Sequence, residues 1–392
     1  MKTEKELKEI LLKHFSEKFK SKPLVVSSPG RINLIGEHTD YNNGFVLPAA
    51  IDKRIFFAVA PNNKGIHRFY AMDLDDYVEV KATNIEINKK NWANYLLGVI
   101  AQFHKKDIIH DGLDCVFGGN VPLGAGLSSS AAIECGFVFA INEMFDLKID
   151  KTELVKMAQL AEHEYAGVKC GIMDQFISVF GKENYALRLD CQTLEFTYYP
   201  LNLTEYIFVL CNSMVKHSLA SSEYNVRRME CTEGVRLIQT KFPEVSTLRD
   251  VNFDQLSAFK TKMSKKVYDR CSYVLEENKR VFDLCLAMEN NDFDRFGKLL
   301  YASHEGLKSK YEVSCTELDI LVSIAQNSKG VMGARMMGGG FGGCTLNLVK
   351  KENVNDFTSF VRERYKVITG TDTEIHLVEI KDGSKIENDG IV

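Results

Sequence analysis

Apolar positions fall into short, strand-like runs before about residue 200 and mostly into helix-spaced stripes after it. Leu24-Val25-Val26, Ile51 to Ala60 and Arg68 to Val80 predict strands, rich in β-branched and aromatic residues. Met1 to Lys22 interleaves Lys and Glu with Ile10, Leu11, Phe15 and Phe19. That is the pattern of an amphipathic surface helix, not of a signal peptide with an unbroken apolar centre. Asn91 to Lys105, which carries the lone tryptophan Trp92, predicts a helix. Leu113 to Phe117 predicts a short buried strand, and Ala131 to Met144 a helix apolar most of the way round. Lys151 to Ala166 has Leu154, Val155, Met157, Ala158 and Ala161 at helical spacing, with Glu162 and His163 near its end. Tyr206 to Leu210 predicts a strand, Arg227 to about Asn327 is largely helical, and Glu374 to Ile380 predicts a last strand before a polar tail. The shift from strand-rich to helix-rich composition divides the chain into 1–200 and 201–392, without a low-complexity linker or internal repeat.

Composition narrows the function. At 392 residues the chain is too long for one comfortable core, which suggests two domains of mixed helix and sheet. A net charge of -4 leaves no basic stripe for nucleic acid, and no apolar run approaches membrane-spanning length. The ten cysteines form no Cys-x-x-Cys pair and there is no His-Glu-x-x-His, so neither a zinc site nor a disulfide framework is indicated. Free thiols in a reducing cytoplasm are expected. Asn202-Leu203-Thr204 is read as a chance glycosylation sequon.

Three stretches carry the chemistry. Gly118 to Ala132 reads as a strand that stops, a glycine turn and a helix that starts, with the serine run Ser128-Ser129-Ser130 capping it. Such a turn aims N–H groups and a helix dipole at one point and suits a phosphate; the plain alternative is an ordinary capped helix. Ser27 to Gly44 packs Arg31, Asn33, Glu37, His38, Asp40 and Tyr41 between glycines, a density of donors and acceptors that suits a small polar ligand such as a sugar. Gly333 to Val349 meets the spacing of a dinucleotide fingerprint at Gly338, Gly340 and Gly343, but the residues after it alternate like a strand, which excludes that reading. Asp174 lies among Cys170, Ile172, Met173 and Phe176, as either a helix cap or a functional carboxylate. There is no Gly-x-x-x-x-Gly-Lys-Ser/Thr, so backbone groups must hold any phosphates.

In this order and at these separations, the motifs resemble the GHMP kinase superfamily and, within it, the galactokinase family. Arg31 to Pro48 resembles the family's sugar signature, Gly118 to Ala132 its phosphate motif and Gly333 to Cys344 its third motif, while Cys170 to Phe176 and Lys216 to Arg228 are similar to further family segments. Met337 departs from the small or hydroxylated residue of many relatives. The resemblance implies an α+β fold of two domains, the first like domain 2 of ribosomal protein S5 and the second ferredoxin-like, with the active site in the cleft between them. It implies transfer of the γ-phosphoryl group of MgATP to the anomeric hydroxyl of D-galactose by a cytoplasmic monomer. Asp174 would be the catalytic base with Arg31 beside it. Glu37, His38, Thr39, Asp40, Asp174 and Tyr224 would bind galactose. Gly124, Ala125, Gly126, Leu127, Ser128, Ser129 and Ser130 would bind ATP, and Ser130 and Glu162 would hold Mg²⁺. Still open are a relative acting on N-acetylgalactosamine or arabinose, and a galactose- and ATP-binding regulator that has lost catalysis.

Overall fold

The computed structural model describes residues 3–108, 111–122, 124–215 and 220–387, the side chains of Ala220, Ser221 and Ser222 excepted. Leu123, Lys216 and His217 therefore lie outside the described residues. The strands are β1 (Leu24–Asn33), β2 (Phe45–Val46), β3 (Pro48–Pro61), β4 (Ile66–Ala71), β5 (Asp76–Lys81), β6 (Leu113–Gly119), β7 (Tyr185–Asp190), β8 (Phe196–Pro200), β9 (Tyr206–Asn212), β10 (Val331–Met336), β11 (Cys344–Lys350), β12 (Glu374–Val378) and β13 (Lys385–Ile386).

A six-stranded sheet in the order β13-β1-β3-β6-β4-β5 forms the first half, joined only by antiparallel pairs except where β4 meets β6. Helix α1 (Glu4–Lys18) starts at a capping box between Thr3 and Glu6. Its buried stripe is Leu7, Leu11 and Phe15, continued by Phe19, four residues apart on one face. Ile10 sits half-buried beside that stripe. The stripe covers Phe56, Ala58, Tyr70 and Val116 on the back of the sheet. Helices α2 (Asn91–His104), α3 (Ser129–Met144), α4 (Lys151–Ala161) and α5 (Met173–Phe180) cover the front. The expected helix to Ala166 changes character on the way: α4 stops at Ala161 and Glu162–Ala166 winds as a π turn, an interruption common at functional sites.

The second half is a four-stranded sheet in the order β10-β11-β9-β12. With helices between β9 and β10 and between β11 and β12, this is the βαββαβ topology of a ferredoxin-like fold. Between β9 and β10 run α6 (Ala220–Gln239), α7 (Phe253–Ser257), α8 (Lys265–Glu289), α9 (Phe293–Ser309) and α10 (Thr316–Gln326); α11 (Val354–Thr369) follows β11. Strand alternation assigns the two faces of β9. Val209 and Cys211 pack with α10 and α11, while Phe208 and Leu210 join the large core of the first half. The chain finally crosses back. Arg54, buried under β1, donates to the carbonyls of Asp382 and Gly383, Ser27 donates to Glu387, and β13 pairs with β1. No helix among the described residues is long and apolar enough to cross a membrane.

Candidate active site

The site begins with a defect in a strand. β1 slips register against β3 between Pro29 and Arg31: three residues of β3, Ile51 to Lys53, stand opposite the single Gly30, and Arg31 rejoins the ladder opposite Ala50. A β-carbon on Gly30 would stand 2.8 Å from the Leu127 carbonyl oxygen, so glycine is what lets the loop after β6 come this close. Arg31 then laces three segments together. Its backbone N–H donates to Leu127 O (3.1 Å) and its Nη1 to Gly126 O (2.5 Å). Its Nε and Nη2 donate to the two carboxylate oxygens of Asp174, both at 2.7 Å. Burial alone would lower the Arg31 guanidinium, but the Asp174 carboxylate beside it outweighs this and holds it above its ordinary value. The fork fixes the plane of the carboxylate.

The loop itself alternates. Gly124, Gly126 and Ser128 have φ of 72°, 75° and 58°, whereas Ala125 and Leu127 between them are not left-handed. Alternation of this kind turns successive N–H groups to one side and forms an anion-binding concavity, which here leads into the positive end of α3. The expected serine cap is not made. Ser128 occupies the N-cap position, yet its side chain makes no capping bond and instead donates to Asp174 Oδ2. Asp174 lies in the first turn of α5, whose N-cap is Ile172, so it is not the helix cap that its sequence context allowed.

Beside this pair lies a cavity of about 300 Å³, lined by Arg31, Glu37, His38, Asp40, Glu162, Cys170, Gly171, Met173, Asp174, Tyr224 and Gly338 to Gly340. Glu37 forms a buried ion pair with Arg335 (2.9 Å) and accepts from Gly338 N (2.8 Å). His38 has φ of 63° and its Nδ1 meets the Tyr41 hydroxyl at 2.8 Å, which in turn meets Tyr311 at 2.8 Å. Burial pushes His38 down to about 3, so the ring is neutral. The Tyr224 ring lies 5.4 Å from His38 and 5.0 Å from Tyr41. Asp40 is pushed up to about 7, first by burial and then by the negative charge of Asp174. Thr39 departs from the expectation. It is fully buried and its hydroxyl is given to the carbonyls of Gly36 and Phe45, so it shapes the turn and is not on the cavity wall.

Glu162, at the start of the π turn, accepts from Gln175 Nε2 (2.6 Å) and from the Cys170 thiol (3.4 Å) and adjoins the Ser130 hydroxyl. A second carboxylate, Glu134 of α3, is fully buried against it, and Glu134 Oε1 meets no donor among the described residues. Burial first, then the charge of Glu162, raises Glu134; burial first, then the charge of Asp174, raises Glu162 against the opposing hydrogen bond from Ser130. Acidic oxygens without a facing cation fit a hard divalent ion such as Mg²⁺. No group of three or more His, Cys, Asp or Glu forms a complete metal site among the described residues, so phosphate oxygens and water would have to finish the coordination.

Several contributors escaped the sequence. Arg335 is fully buried and also donates to the carbonyls of Asn33 and Leu34, tying the third glycine loop to the end of β1. A lone cation between Ala334 and Met336 in a strand was the available signal. Glu134, a carboxylate inside a helix apolar all round, was another. Gln175 and Tyr311 offered none. The third loop joins β10 to β11 in an antiparallel hairpin and opens no helix, as its alternation predicted. Met337 is buried in the large core behind it.

Comparison with known proteins agrees with this geometry. Residues 13–61 match the galactokinase galactose-binding signature, 94–182 the GHMP kinases N terminal domain and 285–367 the GHMP kinases C terminal model. A galactokinase of Thermotoga petrophila is 43% identical over 358 residues, covering 91% of this chain and 98% of its own. One of Clostridium acetobutylicum is 40% identical over 387 residues, covering 97% of each chain. The structure of Lactococcus lactis galactokinase complexed with galactose superimposes with a TM-score of 0.93 at 33% identity, over 97% of this chain and 100% of that one. A sugar-signature turn thus shares one cavity with a paired Arg and Asp that are bonded to the glycine loop, on a framework shared end to end with these enzymes, and the chain belongs to the galactokinase family of the GHMP kinases.

Proposed function

We propose that this chain transfers the γ-phosphoryl group of ATP to the anomeric hydroxyl of D-galactose, giving galactose 1-phosphate and ADP. The observation that carries the reading is the Arg31–Asp174 pair, seated against the alternating loop on one side and the polar cavity on the other. The loop N–H groups and α3 hold the phosphates, and Glu37, His38, Asp40 and Tyr224 orient the sugar. Ser130 and Glu162 would hold Mg²⁺, which when bound supplies neutralising charge to the phosphates. Asp174 accepts the proton of the attacking hydroxyl as the new O–P bond forms and the bond to ADP breaks. Arg31 offsets charge on both the carboxylate and the transferring group. Positioning of this kind contributes roughly 7–11 kcal/mol to lowering a barrier.

Release of ADP measured with and without galactose tests the reading. Strict dependence on galactose is expected, together with loss of turnover in a folded Asp174→Ala variant. Turnover on arabinose or N-acetylgalactosamine but not galactose, or normal rates in that variant, would overturn it.

A further inference from the structure

The Ser128 hydroxyl faces a choice that the structure resolves. An N-cap serine ordinarily gives its oxygen to an N–H of the first helical turn, and a serine in a phosphate loop can give its proton to the ligand. Ser128 does not cap: with φ of 58° and ψ of 52° it carries its side chain away from α3 and onto Asp174 Oδ2. A hydroxyl has one proton. Once that proton is given to a carboxylate, only lone pairs remain, and an ionised phosphate has nothing to donate to them.

Counting sites on Asp174 sharpens the point. Oδ2 already accepts from Arg31 Nη2 and from Ser128, while among the described residues Oδ1 accepts only from Arg31 Nε. Each carboxylate oxygen has about two lone-pair directions. Oδ2 is therefore filled and Oδ1 keeps one position open. We propose that Ser128 is a positioning residue for the base, acting through Asp174 and not as a side-chain ligand of the nucleotide, and that it leaves Oδ1 as the oxygen that receives the sugar proton. The same rotation leaves the first-turn N–H groups of α3 without a side-chain cap, free for the phosphates. The inference rests on Asp174 being the base.

The left-handed backbone at Ser128 is one that glycine adopts without strain, so Ser128→Gly removes the hydroxyl while favouring the loop's shape. We expect kcat to fall about 10- to 100-fold, the effect of losing one hydrogen bond to a charged group. Affinity for a non-hydrolysable ATP analogue, measured by calorimetry, should stay within about two-fold of the parent, and the melting temperature should not fall. Undiminished kcat overturns the proposal, as does a loss of analogue affinity as large as the loss in kcat, which would make the hydroxyl a nucleotide ligand. Asp174→Ala, assayed in parallel, separates the two readings. If it turns over normally the base assignment itself fails; if it is inactive while Ser128→Gly is unimpaired, only the role of Ser128 fails.

Discussion

Asp40 is the most strained charge in the sugar cavity, and its environment gives a pH dependence with a definite sign. Burial and the nearby Asp174 raise it to about 7 in the folded protein, against about 4 when unfolded. The folded state therefore binds this proton more tightly, so the penalty for keeping Asp40 ionised is fully present above pH 7 and disappears as pH falls toward 4. Asp40→Asn is expected to raise the melting temperature at pH 8 more than at pH 5, while destroying an acceptor for the sugar. In the parent enzyme the KM for galactose should rise as pH falls below about 7, because a protonated Asp40 loses acceptor capacity. A flat KM between pH 6 and 8 would place the group elsewhere in the titration. At this scale Asp174 stood out as a carboxylate among apolar neighbours, whereas the place of Arg31 beside it came only from the family resemblance. The hydroxyl partners of Ser128 and Thr39, Asp174 and the Phe45 carbonyl, were not legible, because they are set by tertiary approach and by the tightness of a turn, which local spacing does not encode.

Among the elements, α8 braces the sugar turn without touching the cavity. Its Glu277, fully buried, accepts from Gly36 N, its Asn278 accepts from Phe45 N, and Tyr273 donates to Glu37 O. The third glycine loop is braced from the other direction by Arg335. Arg335→Met keeps most of the volume but leaves the Glu37 carboxylate buried without its cation. Removal of one partner of a buried pair costs about 3–5 kcal/mol. A drop of that order in unfolding free energy, with a weaker KM for galactose than for ATP, is the expected outcome; unaltered stability would show that Glu37 finds another counter-charge. Periodicity predicted many of the elements, because apolar stripes on α1 and α4 and runs on β3 and β6 are long enough to read, whereas 227–327 was legible only as largely helical. The π turn at Glu162 and the two-residue β13 were not readable. One continues a helical pattern without a break, and the other is too short to have a pattern.

For the whole molecule, we propose a division close to residue 200, with the qualification that residues 380–387 belong with the first unit. That return buries the guanidinium of Arg54 under the carbonyls of Asp382 and Gly383 and adds an edge strand beside β1. Truncation after Val378 is expected to lower the melting temperature and to reduce phosphoryl transfer through loss of support for β1, the strand that carries Arg31; circular dichroism melts and a galactose-dependent ADP assay would check both. If the truncated chain melts like the parent, the return is an ornament. The cleft, by contrast, was expected only from the family resemblance carried by three motifs that lie far apart in the chain.

The link from Arg335 to Glu37 and to the carbonyls of Asn33 and Leu34 joins positions about three hundred residues apart in the chain. Contacts of such sequence separation are slow to form, because a long loop must close before they return any stabilisation. We expect the sugar cavity to be completed late in folding, which phosphoryl-transfer activity trailing the recovery of helix signal on refolding would show. Galactose binding would then report on the finished protein, because a chain that ends before Arg335 lacks both the cation that holds Glu37 and the glycine loop that closes the cavity.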